Sequence, residues 1–402
     1  MNREQLRLEK LLIYMVTLIF PFVGMKYLSV VLILAFIIWG IRESLIEGKF
    51  SLGTLDIAVM LFFIANVIGS VFSFDPLSSF KQLIVLAGYI ALYFVVSKGF
   101  ESKELRFLLF IMILSAVLPL LIGYYQLFFA SGNQDLWIDR NVNPDLEQRL
   151  YSIFDNPNIF GEYLVNVFFV SIGLLISNKN KWGKALLMIS ALILTHQIVL
   201  TYSRGAWVTY FIGIGLFLLF YNWKWIVPLI PIGIFGFVFA PSSVKQRLIS
   251  IIYSFKDSSF SYRFEIWKNS FGMAKNYGLK GLGYGYQSFH EYYAHYKIPG
   301  FNATHSHNLY LQVLLESGIV GFVLWIYVVV STLVYDILRI LGDSMKKRYK
   351  EWISLTILLA IMVHGLIDYT LFDYRINLQF WLAIALTAHG MKRYKERSGD
   401  VE

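Results

Sequence analysis

The sequence predicts an all-α integral membrane protein with about twelve transmembrane helices and a large, partly helical outer loop. Of its 402 residues, 57% are hydrophobic and only 15% are charged, whereas a soluble protein of this length would carry more charge. Apolar runs of about 18 residues or more recur along the chain, each long enough to cross a bilayer as a helix. The absence of cysteine excludes disulfides and thiolate zinc sites.

Twelve spans are predicted from the apolar runs. Residues 1–240 hold the first nine, with an outer loop at 131–156, and residues 241–305 form the large outer loop. Residues 306–402 hold the last three spans and a cytoplasmic tail. The spans lie near 9–25, 27–41, 55–72, 80–97, 105–130, 157–177, 184–201, 203–221, 223–240, 308–341, 352–372 and 375–391.

The positions of lysine and arginine predict the orientation of the spans. With the N-terminus inside, 21 of the 35 basic residues fall in inner segments, eight fall in the long outer loop, and six fall elsewhere outside. Short inner segments of membrane proteins are enriched in basic residues, so both termini are predicted to be cytoplasmic. The net charge of +9 is interpreted through this topology, and no nucleic-acid partner is predicted.

Polar side chains recur at helical spacing in three of the spans. Residues four apart share one face of a helix, and polar groups inside a membrane usually face a cavity or a partner. All three stripes fall in the outer half of the membrane, which predicts an outward-facing cavity. Hydrogen bonding between helices is the alternative. The stripes are Asn158, Glu162 and Asn166; Asn308, Gln312 and Glu316; and His364 and Asp368.

The tenth span is too long for a single straight crossing. From Asn308 to Leu341 a continuous helix would measure about 51 Å, against a hydrocarbon core of about 30 Å. The helix must therefore tilt, protrude or break. Ser317-Gly318 is the predicted break point, and residues 308–316 would then line the cavity.

Two outward-facing arginines are candidates for binding phosphate. Arg204, in TYSRGAW, is predicted at the outer start of a span, where free backbone N–H groups attract anions and a guanidinium adds forked donors. Arg263, in SYRFEIW, lies in a helix-like stretch near 261–276. Snorkelling to lipid headgroups is the alternative for Arg204, and an interfacial amphipathic helix is the alternative for Arg263. Lys81, at the outer start of the fourth span, is a further phosphate candidate.

Four of the seven histidines fall between residues 290 and 307. His307 borders the predicted cavity, and an imidazole can act as a general base near neutral pH. His305 and His307 form a His-x-His pair that can bind zinc, but no third ligand is evident at a suitable spacing, and no metal is predicted. The chain has no Asp-x-Asp pair of the kind used in metal-dependent sugar transfer.

Several of these segments resemble the O-antigen ligase and polymerase family of bacterial envelopes. HNLYLQVLLESGIVGF, residues 307–322, is similar to the ligase pattern of His, a small polar residue, nine residues, Gly, two residues and Gly. The ligase pattern ends in Thr or Tyr where this chain has Phe322, so a polymerase stays open as an alternative. Also similar to the family are SRGAW at 203–207, RFEIW at 263–267 with GLGYGYQSF at 281–289, and HGLID at 364–368.

The resemblance implies a GT-C-like membrane glycosyltransferase that inverts the anomeric carbon without a metal or other cofactor. The implied donor is a glycan on undecaprenyl pyrophosphate, presented at the outer face of the bacterial inner membrane among its lipids. A ligase passes the glycan to a sugar of the lipopolysaccharide core, and a polymerase passes it to another repeat unit.

The resulting hypothesis gives each candidate residue a role. Arg204 and Arg263 clamp the pyrophosphate and stabilise the charge that grows on it, with Lys81 as a further contact. His307 takes the proton from the acceptor hydroxyl. The supporting positions are Asn308, Gln312, Glu316, Asp368 and His305. Of these, Glu316 or Asp368 orients the histidine or the acceptor.

A lipid or polysaccharide transporter or flippase is a further alternative of a different class. Such a protein would explain the many spans and the polar cavity. It also predicts polar residues through both leaflets and an internal repeat. The polar stripes cluster on one side and no repeat is visible, so the sequence favours the enzyme.

Overall fold

The computed structural model describes residues 7–44, 51–129, 138, 146, 148–252 and 258–398, and every regular element among them is helical. The α-helices of these residues are α1 Leu8–Ile19, α2 Met25–Arg42, α3 Thr54–Val71, α4 Pro76–Gly99, α5 Ser102–Ser115, α6 Val117–Phe129, α7 Pro157–Ser177, α8 Lys181–Leu200, α9 Arg204–Asn222, α10 Ile226–Phe239, α11 Ser242–Ile252, α12 Ser258–Tyr277, α13 Tyr286–Tyr293, α14 Leu309–Leu341, α15 Tyr349–His364 and α16 Tyr374–Ser398.

Eight segments of the described chain are long and apolar enough to cross a membrane. Helices α5 and α6 count as one such segment, and so do α9 and α10. The helical membrane protein is thus confirmed, but the predicted count of about twelve spans is not. Helices α1 and α15, with 12 and 16 residues, are too short to count as spans, and α16 is too polar to count as one. The other six segments are α2, α3, α4, α7, α8 and α14.

Helix α7 lies at the centre of the bundle, with 83% of its apolar stretch buried. It packs against α8, α9 and α15, and α15 in turn packs against α14 and α16. Helices α2, α3 and α4 complete the bundle, with α4 on α16 and α3 on α14. The large apolar side chains of α10 are instead exposed, as expected of a surface that meets lipid.

Helix α14 breaks at Gly318, as the sequence predicts. Gly318 has φ 66° and ψ 178°, a conformation that only glycine adopts readily. In a continuous helix the N–H of Ile319 would donate to the carbonyl of Leu315. Here it donates to the carbonyl of Leu279 instead, so the Leu315 carbonyl loses its helical hydrogen bond. The carbonyl of Leu315 accepts from the N–H of Leu282 instead, at 2.7 Å. The break therefore anchors the glycine-rich segment that follows α12.

Most of the predicted outer loop at 131–156 lies outside the described residues. Its last part contains a short 3-10 helix at Ser152–Phe154, directly before α7. The segment predicted as the large outer loop, 241–305, contains α11, α12 and α13, so its partly helical character is confirmed. Its position outside the membrane stays a prediction.

We expect Gly318→Ala to lower the thermal stability of the protein. An added Cβ would lie 2.8–2.9 Å from backbone atoms of Leu279, Lys280 and Gly281, and the positive φ adds strain of about 1–3 kcal/mol. Thermal unfolding of the purified protein measures the effect. Gly215→Ala in α9 is the matched control, since its Cβ meets nothing within 4 Å. A Gly318→Ala protein that melts with the wild type would contradict this account of the break.

Candidate active site

His307 lies immediately before α14 in a turn that fixes its imidazole. Its backbone has φ 51°, and its carbonyl accepts a 3.0 Å hydrogen bond from the Trp267 indole of α12. The next residue, Asn308, caps α14 by accepting from the N–H of Leu311 at 2.9 Å, and its amide donates to the carbonyl of Leu366. These contacts leave the His307 side chain 24% exposed, so a substrate can reach it.

Asp368 connects His307 to Arg263. Its Oδ1 lies 3.0 Å from His307 Nδ1 and accepts from the N–H of Tyr369, while its Oδ2 lies 3.5 Å from an Arg263 Nη2. Asp368 belongs to the turn between α15 and the 3-10 helix Thr370–Phe372, and it is buried. With Nδ1–H donating to this carboxylate, Nε2 of His307 is left with a free lone pair, as a general base requires.

The charge of Asp368 is stabilised by its neighbours. Burial by itself would raise the pKa of this carboxyl group. The hydrogen bond from His307 and the positive charge of Arg263 outweigh burial, and they hold the pKa of Asp368 well below its usual range. Asp368 therefore stays ionised at neutral pH and orients both partners.

Four guanidinium groups gather beside this contact. They are Arg149, Arg204, Arg247 and Arg263, here called the arginine cluster. Burial lowers the pKa of Arg149 well below its usual range, and the charges of Arg247, Arg204 and Arg263 lower it further, so these three guanidiniums lie within electrostatic range of Arg149. Several cations at close range repel one another unless an anion joins them. The arrangement suits a ligand with more than one negative charge, such as a pyrophosphate.

Backbone and amide groups hold the members of the cluster in place. Arg149 donates to the carbonyl of Thr201 and to Asn158, both at 2.9 Å, and Arg247 donates to the carbonyl of Tyr202 at 2.8 Å. Two of the four arginines thus donate to backbone carbonyls of the turn between α8 and α9. The third, Arg204, is the first residue of α9, where Ser203 caps the helix.

Glu162 of α7 holds the turn that carries Asp368. One carboxylate oxygen lies 2.8 Å from Nδ1 of His364, and the other accepts from the Thr370 hydroxyl at 3.1 Å. His364 and Thr370 are on opposite sides of Asp368 in the chain. His364 also packs on the start of α9, where a Cβ added to Gly205 would lie 2.5 Å from its Nε2. Glu162 and His364 therefore tie the Asp368 turn to the arginine-bearing helix.

Most residues of the three polar stripes hydrogen-bond to groups within the described part of the protein, which favours the alternative to a shared cavity. Asn166 donates to Gln379 of α16 at 2.7 Å, so it joins two helices inside the bundle. Gln312 accepts from the N–H of Ser306 and donates to Glu316. Glu316 faces away from His307, into a separate cavity. The hydrogen-bonding alternative holds for most of the stripe residues because each finds a partner within the protein.

His305 packs against His307 inside the site. Their ring centroids are 4.3 Å apart, and Nδ1 of His305 accepts from the backbone N–H of His307 at 3.3 Å. Burial, together with the nearby charge of His307, lowers the pKa of His305 to about 3. His305 is therefore neutral at physiological pH. It packs against the His307 ring and accepts a hydrogen bond from the His307 backbone.

Lys81 is exposed near the start of α4, and no contact described in these residues joins it to the arginine cluster or to His307. Its role as a phosphate contact stays a prediction.

Sequence reasoning missed Arg149 and Arg247. No periodicity or motif distinguishes Arg149 from its neighbours, and its contacts at Asn158 and Thr201 come only from the fold. The one available signal was the excess of basic residues in 241–305, which includes Arg247.

The structure supplies the third metal-ligand candidate that the sequence lacked. Ligand atoms of His305, His307 and Asp368 lie within 4.8 Å of one another. Each is already engaged: Asp368 by His307 and Arg263, and His305 by a backbone N–H. A cation here would have to replace these contacts beside a guanidinium of the same charge, so the donor set fits a resident metal poorly.

Residues 185–326 carry an O-antigen ligase domain. The match to this family model confirms the resemblance to the O-antigen ligase superfamily and supports an O-antigen ligase- or polymerase-type membrane enzyme. The matched segment contains Arg204, Arg247, Arg263 and His307, whereas Arg149 and Asp368 lie outside it. No curated protein matches the chain.

We expect His305→Phe to reduce the loss of stability on acidification. The folded pKa lies below the ordinary value of 6.5, so between about pH 6.5 and pH 3 the unfolded chain binds more protons and stability falls as pH falls. From pH 7 to pH 5 this loss is up to about 2 kcal/mol. Phenylalanine keeps the ring stack on Phe372 and removes the titration.

Melting temperatures at pH 7 and pH 5 measure the difference. The exposed His295, changed to Phe, is the matched control and should lose as much stability as the wild type. An equal loss in the His305→Phe protein would show that His305 titrates normally.

Proposed function

We propose that this chain is an O-antigen ligase-type glycosyltransferase at the outer face of the bacterial inner membrane, with both termini cytoplasmic. It transfers a glycan from undecaprenyl pyrophosphate to a hydroxyl group of a lipopolysaccharide-core sugar. The observation that carries the proposal is the contact of Asp368 with both His307 and Arg263, because it sets a base beside a phosphate-binding cation.

The reaction needs one proton acceptor and one stabilised leaving group. Nε2 of His307 takes the proton of the acceptor hydroxyl as its oxygen bonds to the anomeric carbon. The bond between that carbon and the phosphate oxygen breaks, and its electron pair stays on the pyrophosphate. Attack from the face opposite the leaving group inverts the anomeric carbon.

The arginine cluster stabilises the pyrophosphate as its charge grows. Guanidinium groups bind phosphate oxygens through paired N–H donors, and their charge is already in place before the bond breaks. Four guanidiniums supply the positive charge that a divalent cation supplies in other sugar transferases. Asp368 contacts both Arg263 and His307, so it holds the base at a fixed position relative to the leaving-group site.

We expect alanine variants of Arg149, Arg204, Arg263 and His307 each to lower turnover by about 100-fold or more. The assay follows transfer from an undecaprenyl-pyrophosphate glycan by purified protein in detergent. Lys245→Ala on α11 is the control for loss of a basic side chain near the site and should keep its activity. Folded arginine and histidine variants with full turnover would eliminate these roles.

A chelator tests metal independence in the same assay. Turnover should be unchanged, since guanidiniums and not a metal ion stabilise the leaving group. Loss of activity that zinc restores would instead assign His305, His307 and Asp368 to a metal site.

The polymerase is the second candidate function, and Phe322 favours it. The ligase pattern has Thr or Tyr at this position, whereas Phe322 packs its ring against Trp325, with centroids 6.4 Å apart. The residue thus contributes an apolar contact without a hydroxyl group. A polymerase would use the same donor and the same base, and it would differ in the acceptor.

We expect a deletion strain to accumulate long glycan chains on the carrier lipid, because a ligase acts after polymerisation. Extraction and size analysis of the carrier-linked glycans measures this. Wild-type protein from a plasmid should restore the normal profile, and the His307→Ala protein should not. Accumulation of single repeat units would identify a polymerase instead.

A further inference from the structure

A second cavity, of about 210 Å³, lies beside the His307 site. It is bounded by the starts of α2 and α4, the first half of α14 and the segment between α15 and α16. Aromatic side chains dominate its wall. The cavity is small compared with the roughly 300–1,000 Å³ of common ligand pockets, so it has room for one ring and not for a chain.

Glu316 supplies a carboxylate to the wall of this cavity. The side chain is 2% exposed, and it accepts hydrogen bonds from Gln312 Nε2 at 2.8 Å and from the N–H of Gly285 at 3.2 Å. Tyr369 also donates to it. A carboxylate has about four acceptor positions, so one remains for a donor from a ligand. A hydroxyl group is a donor of the required kind.

The other walls combine aromatic rings with amides. Tyr284, Tyr286 and Phe372 offer ring surfaces, and Gln82 and Asn377 offer amide groups. A pyranose has apolar C–H faces and hydroxyl edges, so its faces can pack on the rings while its edges bond to the amides and the carboxylate. A polyprenyl tail offers no donor or acceptor to these polar groups, whereas a hydroxylated ring offers both. The lining therefore selects a hydroxylated ring over a lipid chain.

Two rings, those of Phe372 and His305, lie between this cavity and His307. Phe372, in the cavity wall, stacks on His305 with centroids 4.8 Å apart, and His305 lies 4.3 Å from His307. Tyr369 contacts both Phe372 and His305. A sugar bound against Phe372 would therefore lie two aromatic rings from the base.

We propose that this cavity is a subsite for a pyranose ring of the acceptor, with Glu316 accepting a hydroxyl hydrogen bond. The proposal rests on the proposed function and adds where the acceptor is held. The donor headgroup is held elsewhere, since the arginine cluster attracts a pyrophosphate.

Saturation-transfer NMR with methyl pyranosides tests the subsite directly. The probes are the methyl glycosides of glucose, galactose, mannose and N-acetylglucosamine, and the protein is held in lipid nanodiscs because glycoside detergents would compete. We expect at least one probe to bind the wild type. Glu316→Gln removes the charge, and Val85→Phe fills the cavity without touching the carboxylate. Both should weaken binding by about tenfold or more, which corresponds to about 1.4 kcal/mol.

Val85→Ala is the matched control, because it leaves the cavity open and should bind as the wild type does. Binding of undecaprenyl pyrophosphate is measured on the same samples and should be unchanged in all three variants. The proposal is overturned if no probe binds the wild type, or if Val85→Phe binds as well as Val85→Ala. Failure of the proposed function would appear separately, as full glycan transfer by the arginine and histidine variants.

Discussion

The carboxylate of Asp368 is the contact on which the rest of the site depends. It meets the imidazole of His307 through one oxygen and the guanidinium of Arg263 through the other. These partners come from three separate parts of the chain: the start of α14, the turn after α15, and α12. Removing the carboxylate would remove the one contact that His307 and Arg263 are described as sharing.

Two constraints from the bundle hold Asp368 in position. Glu162, at the centre of the protein, contacts His364 and Thr370 on either side of the Asp368 turn. Helix α12 is in turn fixed by the break in α14, because the segment after it pairs with the backbone freed at Gly318. Glu316, two residues before the break, lines the second cavity, whereas His307 lies just before the start of α14. The same half of one helix thus supplies residues to both proposed ligand sites.

The arginine cluster concentrates positive charge at one place in the fold. Arg149 is buried, and both burial and the three neighbouring charges disfavour its protonated form. Sites that break a local rule of stability are commonly functional, so this concentration of charge supports the proposed binding of a pyrophosphate.

Much of this protein is readable from its sequence because the signals are local. Apolar runs of bilayer length determine the membrane helices, Gly318 determines the break in α14, and the segments around Arg204, Arg263 and His307 lie in the part that matches the O-antigen ligase family model. Each depends on residues that lie close together in the chain. The number of crossings was less readable, since α1 and α15 are shorter as helices than their apolar runs.

Only the tertiary structure assigned partners to the polar side chains. Glu316 and Asp368 were equal candidates to orient His307 in the sequence, and the fold gives that contact to Asp368 and turns Glu316 towards another cavity. Arg149 and Arg247 joined the arginine cluster through contacts with the turn at Thr201 and Tyr202, far away in the chain. Hydrogen bonds and ion pairs act over a few ångströms in space, and no spacing along the chain encodes which distant groups will come that close.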